Sequence, residues 1–192
     1  MSRRRAEPSP VDRARRARFE RVFREVYEPL QAYVRRRCDP ASADDVVADA
    51  LLVVWRRLDD VPDGLALPWS YGVARRCLAN HRRGDQRRDA LVERLQAEPI
   101  LPPSPAEHDE ELEAVLAQLA VDDREIVRLW AWEQLQPREI AVVLDITPNA
   151  AAIRVHRAKQ RLAALLRTDA GVPGKDDEGA EHKVLGHREE AT

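Results

Sequence analysis

Apolar residues in the first half of this chain recur at the three- and four-residue steps of one helix face. Phe19, Val22, Phe23, Val26, Leu30, Tyr33 and Val34 make the first such stripe. Pro29 lies inside it, and proline removes a backbone donor, so the helix is expected to kink or restart there. Asp39-Pro40 breaks the run. Ser42-Ala43-Asp44-Asp45 has the form of a capping box with an acid in the glutamate position. It opens a second helix whose inner face is Val46, Val47, Ala50, Leu51, Val54, Trp55 and Leu58. After the Asp63-Gly64 turn, Pro68 suits the first turn of a third helix. That helix carries Trp69, Val73, Cys77 and Leu78 inward and is expected to end or bend at Gly84-Asp85.

The second half repeats the helical period in shorter pieces. Leu112, Val115, Leu116 and Leu119 form one stripe. Ile126, Val127, Leu129 and Trp130 form another, after Asp122-Asp123-Arg124. Pro137 starts a short helix with Ile140, Ala141 and Leu144 facing in, and Asp145-Ile146-Thr147 is a tight turn. Thr147 is a good N-cap, and Pro148 fits the first position of a last helix lined by Ala151, Val155 and Leu162. Two short helices joined by a turn of three or four residues are the helix-turn-helix signature.

Strand-forming runs are few, glycine is scarce, and alanine, leucine and arginine favour helix. The fold class is therefore all-α: two small helical domains joined by a proline-rich linker, the second a helix-turn-helix domain. The linker is marked by QAEPILPPSPA, which holds four prolines in eleven residues. The expected divisions are a basic N-terminal arm over 1–18 and a first domain over 19–95. The linker over 96–108, a second domain over 109–167 and an acidic, disordered tail over 168–192 follow.

The formal net charge is only −2, but the charges are segregated. From Arg75 to Arg94 seven arginines face three acids, and from Ala150 to Arg167 there are five bases and no acid. The stretch from Pro99 to Asp123 holds seven acids and no base. Basic clusters confined to particular helices are the footprint of a surface that neutralises phosphates. A solvated helix face is the plainer reading of either cluster alone; a pair, one of them on a helix-turn-helix, favours DNA. Trp69 and Tyr71 lie just upstream of Arg75, Arg76, Asn80, His81, Arg82 and Arg83. Aromatic faces beside arginines are how proteins hold unpaired bases, although Trp69 at helical spacing also reads as core.

ADDVVADALLVVWRRLDDV resembles the second conserved segment of extracytoplasmic-function sigma factors of bacterial RNA polymerase. PWSYGVARRCLANHRRGDQRRDALVERL resembles their melting and minus-ten segment, and LQPREIAVVLDITPNAAAIRVHRAKQRL resembles their minus-thirty-five helix-turn-helix. The wording of ARRCLANHRRG and TPNAAAIRVHRA resembles actinobacterial members. The resemblance covers about Phe19 to Leu166. It implies that Asp44, Asp45 and Asp49 meet the clamp helices of the polymerase β′ subunit. It places Trp69, Tyr71, Arg75, Arg76, Asn80, His81, Arg82 and Arg83 on the opened minus-ten element. It places Arg138, Thr147, Asn149, Ala152, Ile153, Arg154, Arg157 and Lys159 on the minus-thirty-five duplex. Ala152 departs from the family, which often has a basic residue there. Asp145 stands where the family usually has a turn glycine; aspartate tolerates the left-handed backbone better than most residues.

The partners implied are core RNA polymerase through its β′ clamp helices and β flap, promoter DNA, and an anti-sigma protein. No cofactor, metal or small-molecule substrate is expected. Clustered carboxylates at metal spacing, a glycine-rich phosphate loop and a nucleophile–base pair are not found in the sequence, so an enzyme is not expected. Cys38 and Cys77 lack zinc or disulfide spacing and read as small apolar side chains in a reducing cytoplasm. Residues 1–18 lack the apolar core of a signal peptide, and no apolar run approaches a membrane span. The rival reading is a stand-alone helix-turn-helix regulator whose N-terminal piece senses or dimerises.

Overall fold

Ser9 opens the first helix, α1 (Pro10–Arg35). Its hydroxyl accepts from the Asp12 amide while the Asp12 carboxylate accepts from the Ser9 amide. Two donors of the first turn, which lack carbonyls within the helix, are thereby satisfied. The computed structural model describes residues 9–93 and 110–169, and among these it contains seven α-helices and no strand. The expected linker and the acidic tail lie outside them, apart from the end of the last helix.

Residues 10–18, expected as part of an arm, belong to the first domain. Arg15 bonds Asp59 at 2.8 Å and the Trp55 carbonyl at 2.9 Å, and Arg18 bonds the Val61 carbonyl at 3.1 Å. These cations cap the far end of α2 (Pro40–Arg56) and the 3-10 turn Leu58–Asp60 that follows it. Pro29 does not break α1, which runs unbroken through it. Glu25, whose carbonyl loses its donor to the proline, lies on the exposed side. The opposite face, Val22, Val26, Leu30, Tyr33 and Val34, is buried and holds the helix together.

Helix α2 also starts earlier than the capping-box reading predicts. Asp39 is its N-cap and accepts from the Ser42 amide at 3.0 Å, with Pro40 in the first turn. The fixed φ of proline suits that position, so the cap moves ahead of Ser42. The third helix, α3 (Ala66–Glu93), passes through Gly84 and Asp85 without ending. Nothing crowds Gly84, and side-chain contacts span the site: His81 meets Asp85 at 3.2 Å and Arg87 donates to the Arg83 carbonyl at 3.0 Å. One glycine in an exposed helix costs only about 1 kcal/mol, which such contacts and the packed start of the helix offset.

The remaining helices are α4 (Glu110–Ala117), α5 (Val121–Ala131), α6 (Pro137–Leu144) and α7 (Pro148–Asp169). Helices α6 and α7 form the helix-turn-helix. Asp145 ends α6 with φ 56° and ψ 49°, the left-handed conformation anticipated for it. Thr147 accepts from the Ala150 amide at 3.2 Å and so caps α7 as anticipated.

The two halves were expected as separate modules, and here they are packed together. Helix α3 lies on α1 and α2 with one side and on α6 with another. One apolar cluster runs from Leu30, Tyr33, Val46 and Tyr71 through to Leu129, Ile140, Val143 and Ala151. A smaller cluster, Val22, Val26, Val54, Leu58, Val61 and Ala66, sits entirely inside the first half. Gly72 is what permits the close approach of α3 to α6. A Cβ there would lie 3.2 Å from the Val143 carbonyl oxygen.

Candidate nucleic-acid interface

Helix α7 presents two faces. Ala151, Val155 and Ala158 are buried against α5 and α6, while Asn149, Ala152, Ile153, Arg154 and Arg157 are all exposed. The capped turn leaves one side of the first turns of α7 exposed, which is what a helix reading a major groove needs. Arg138, on the preceding helix, is also exposed. Lys159 is exposed but its ammonium stands 4.1 Å over the ring of Trp130, so part of its charge is directed at its own domain. Arg161 is paired with Asp123. The cations left for a ligand are thus concentrated in the first half of α7.

On α3, Arg75, Arg76, Asn80, Arg82 and Arg83 are exposed and His81 is half-buried. Several already have internal partners. Arg83 donates to the Asn80 side-chain oxygen at 2.5 Å, leaving the amide nitrogen of Asn80 available to a base. Arg82 donates to the Arg37 carbonyl at 2.8 Å, and Arg76 meets Asp145 at 3.2 Å. Trp69 is half-buried with the Arg57 guanidinium 5.6 Å from its ring centre.

Tyr71 does not fit its expected role in this arrangement. It is 2% exposed, and its ring stacks on Tyr33 with centres 4.6 Å apart. Burial, then the neighbouring Glu133 charge, pushes its hydroxyl well above the ordinary tyrosine range. Its place at helical spacing put it in the interior, and no base can reach it there.

Asp44, Asp45 and Asp49 are all exposed on α2, on the side away from Ala43, Val46, Val47 and Ala50. Arg35 approaches Asp44 at 3.8 Å; Asp45 and Asp49 stand one turn apart as like charges. Such a face gains nothing from itself and suits a basic partner.

Sequence reasoning missed a polar cluster where the halves meet. Arg37 bonds Glu125 at 3.2 Å and Glu133 at 3.1 Å, and its guanidinium lies 3.7 Å from the centre of the Tyr33 ring. Arg36 bonds Glu133 at 2.6 Å, and the Tyr33 hydroxyl donates to Glu125 at 3.1 Å. The side chains of Arg37 and Glu133 are only 3% and 2% exposed, so these charges are held in low dielectric by each other. Burial disfavours the Arg37 charge, but Tyr33, Glu125 and Glu133 outweigh it and raise its pKa. The sequence signal was the run Arg35-Arg36-Arg37, which by itself reads as a helix C-terminus. Helices α3 and α6 flank an open cleft of about 420 Å³ lined by Arg57, Trp69, Arg76, Arg138 and Asp145.

Two family profiles match the chain: Sigma-70 region 2 over residues 22–88 and Sigma-70 region 4 over residues 109–162. The chain is 30% identical to the RNA polymerase sigma factor NccH of Alcaligenes xylosoxydans xylosoxydans, over 67% of this chain and 75% of that one. It is 26% identical to the ECF RNA polymerase sigma factor SigL of Mycobacterium tuberculosis, over 67% of this chain and 77% of that one. Its fold is similar to that of the sigma factor RpoE of Bartonella quintana, solved in complex with the anti-sigma factor NepR. There the TM-score is 0.56 and the identity 23%, with 79% of this chain and 98% of that one covered.

Proposed function

The chain belongs to the extracytoplasmic-function sigma factors and directs transcription initiation, and from that premise we propose which of its surfaces does each part of the work. The observation that carries this reading is the exposed face of α7. Asn149, Ile153, Arg154 and Arg157 project from the first turns of a capped helix whose opposite side is buried. Arginine pairs with guanine and asparagine with adenine in the major groove, and Ile153 can contact a thymine methyl group. Arg138 holds a phosphate beside them and fixes the register.

The exposed cations of α3, Arg75, Arg76 and Arg83, hold the strand at the minus-ten element, and Asn80 reads an unstacked base. Unstacking costs a few kcal/mol per step, so a positioned amide is needed to keep the base out of the duplex. Asp45 and Asp49 dock α2 on the β′ clamp helices of core polymerase, and region 4 meets the β flap. An anti-sigma protein is a further partner, in line with the complex in which RpoE was solved. The chain acts in the cytoplasm as a recognition subunit and performs no chemistry itself; among the described residues no helix is long and apolar enough to cross a membrane.

Run-off transcription tests this directly. Purified core polymerase plus this chain should initiate at discrete sites in a library of genomic fragments, and neither component alone should do so. Tight sequence-specific duplex binding by the chain alone, with no initiation when polymerase is added, would replace this reading with that of a stand-alone regulator.

A further inference from the structure

We propose that the open cleft between α3 and α6 is a binding site for a nucleoside monophosphate. Arg57, Arg76 and Arg138 line it, and among the described residues that do so Asp145 alone carries a carboxylate. Three cations against one anion leave an excess of two positive charges around one opening. Arg57 meets Asp60 at 2.8 Å through Nε, which leaves its terminal nitrogens for another acceptor. Arg76 reaches Asp145 at 3.2 Å through one terminal nitrogen, and both side chains are more than half exposed. Arg138 is exposed and makes no ion pair among the described residues. A phosphate monoester carries about −1.5 to −2 charge at neutral pH and three acceptor oxygens, close to that excess. Guanidinium forks match such oxygens two at a time.

A bare phosphate would leave the rest of the cleft unused. The half-buried ring of Trp69 lines it, with the Arg57 guanidinium 5.6 Å from the ring centre. Nucleobases stack on tryptophan faces and on guanidinium planes, so one wall suits a base while the arginines suit its phosphate. The Asp145 carboxylate offers an acceptor for the sugar hydroxyls between them, the part acidic residues take in other nucleotide sites. The floor is backbone: at Gly72 a Cβ would lie 3.2 Å from the Val143 carbonyl oxygen, so a side chain there would force α3 and α6 apart. The volume of about 420 Å³ falls within the roughly 300–1,000 Å³ of small-molecule sites and has room for one nucleotide.

Occupation has a consequence for DNA, which rests on the promoter-reading roles just assigned. Arg76 and Arg138 cannot hold the ligand and promoter phosphates at once, so nucleotide and promoter compete for the free chain. Arg57 lies outside those roles. Its ion pair with Asp60 is exposed and adds little to stability, so its removal separates the ligand from the promoter.

Calorimetric titration of the full chain with AMP and GMP tests this. At least one should bind saturably, one to one, and adenosine, guanosine and inorganic phosphate should each bind about tenfold or more weakly. The bound nucleotide should move the Trp69 indole signal in two-dimensional NMR and leave that of Trp130, which does not line the cleft. Arg57→Ala should weaken nucleotide binding about tenfold without changing run-off transcription in its absence. Arg154→Ala, an exposed cation outside the cleft, should leave nucleotide binding unchanged. Saturating nucleotide should lower retention of a single-stranded minus-ten oligonucleotide by the wild type and not by Arg57→Ala. No binding of either nucleotide, inorganic phosphate bound as tightly as AMP and GMP, or equal losses from Arg57→Ala and Arg154→Ala would overturn the proposal. So would a Trp69 signal moved by the oligonucleotide and by neither nucleotide. Failure of the wild type in run-off transcription would instead defeat the promoter-reading roles and leave the nucleotide site standing.

Discussion

Arg82 donates a hydrogen bond from its guanidinium to the carbonyl of Arg37, at 2.8 Å and across 45 residues of chain. The carbonyls beyond the end of α1 have no helical donor, and Arg82 supplies one. A residue grouped with the DNA-binding cations is therefore also a structural one. Arg82→Ala should lower the unfolding free energy by about 1 kcal/mol. Arg75→Ala, on the exposed side of the same helix, should leave stability within about 0.5 kcal/mol. Both should weaken promoter binding. Urea titrations and gel shifts on the two variants separate the effects; equal stability would remove Arg82 from its capping role.

Asn80 is half engaged, its oxygen taken by Arg83 at 2.5 Å and its nitrogen left for a base. Asn80→Ala should lower open-complex formation more than closed binding. Permanganate reactivity of the minus-ten thymines should fall while the gel shift at low temperature changes little. Equal losses in both assays would make Asn80 a general contact and not a reader of the opened strand.

Arg154 and Lys159 are both exposed cations of α7, but only Lys159 has an internal aromatic partner. Arg154→Ala should cost ~1–3 kcal/mol of specific binding and relax preference at one base pair. Lys159→Ala should leave base preference intact. A promoter library scored with each variant decides; a uniform loss across sequences would make Arg154 a phosphate contact.

Asp45 and Asp49 are exposed and make no ion pair among the described residues. Reversing both to lysine should leave the melting temperature nearly unchanged and weaken association with core polymerase. A pull-down with unchanged recovery would refute the docking role of α2.

Stability should fall on the alkaline side. Burial first, then the Glu125 charge, raises the Tyr33 hydroxyl far above its ordinary 10.0, and burial with Glu133 does the same for Tyr71. The unfolded chain releases both protons near pH 10 while the folded chain keeps them. The stabilisation is thus complete below about pH 10 and is lost progressively above it. Urea midpoints should drop as pH rises past that point, and Tyr33→Phe should flatten the slope. A midpoint that does not move with pH would show that these hydroxyls are reached by water.

The sequence by itself determined the helices, the helix-turn-helix and the exposed acids and bases, because each depends on residues three or four apart. The periodic stripe of Val22, Val26, Leu30 and Tyr33 marks a buried face whatever it packs on. A turn at Asp145 capped by Thr147 is likewise local chemistry. Local signals also misled where packing overrode them: Pro29 and Gly84 lie within continuous helices. Only the tertiary structure decided that the halves meet. Arg37 and Glu133 are 96 residues apart, as a charge pair they have no periodicity, and each alone reads as an ordinary solvated ion. Their burial exists only once α1, α3, α5 and α6 are assembled, so no pattern along the chain could announce it.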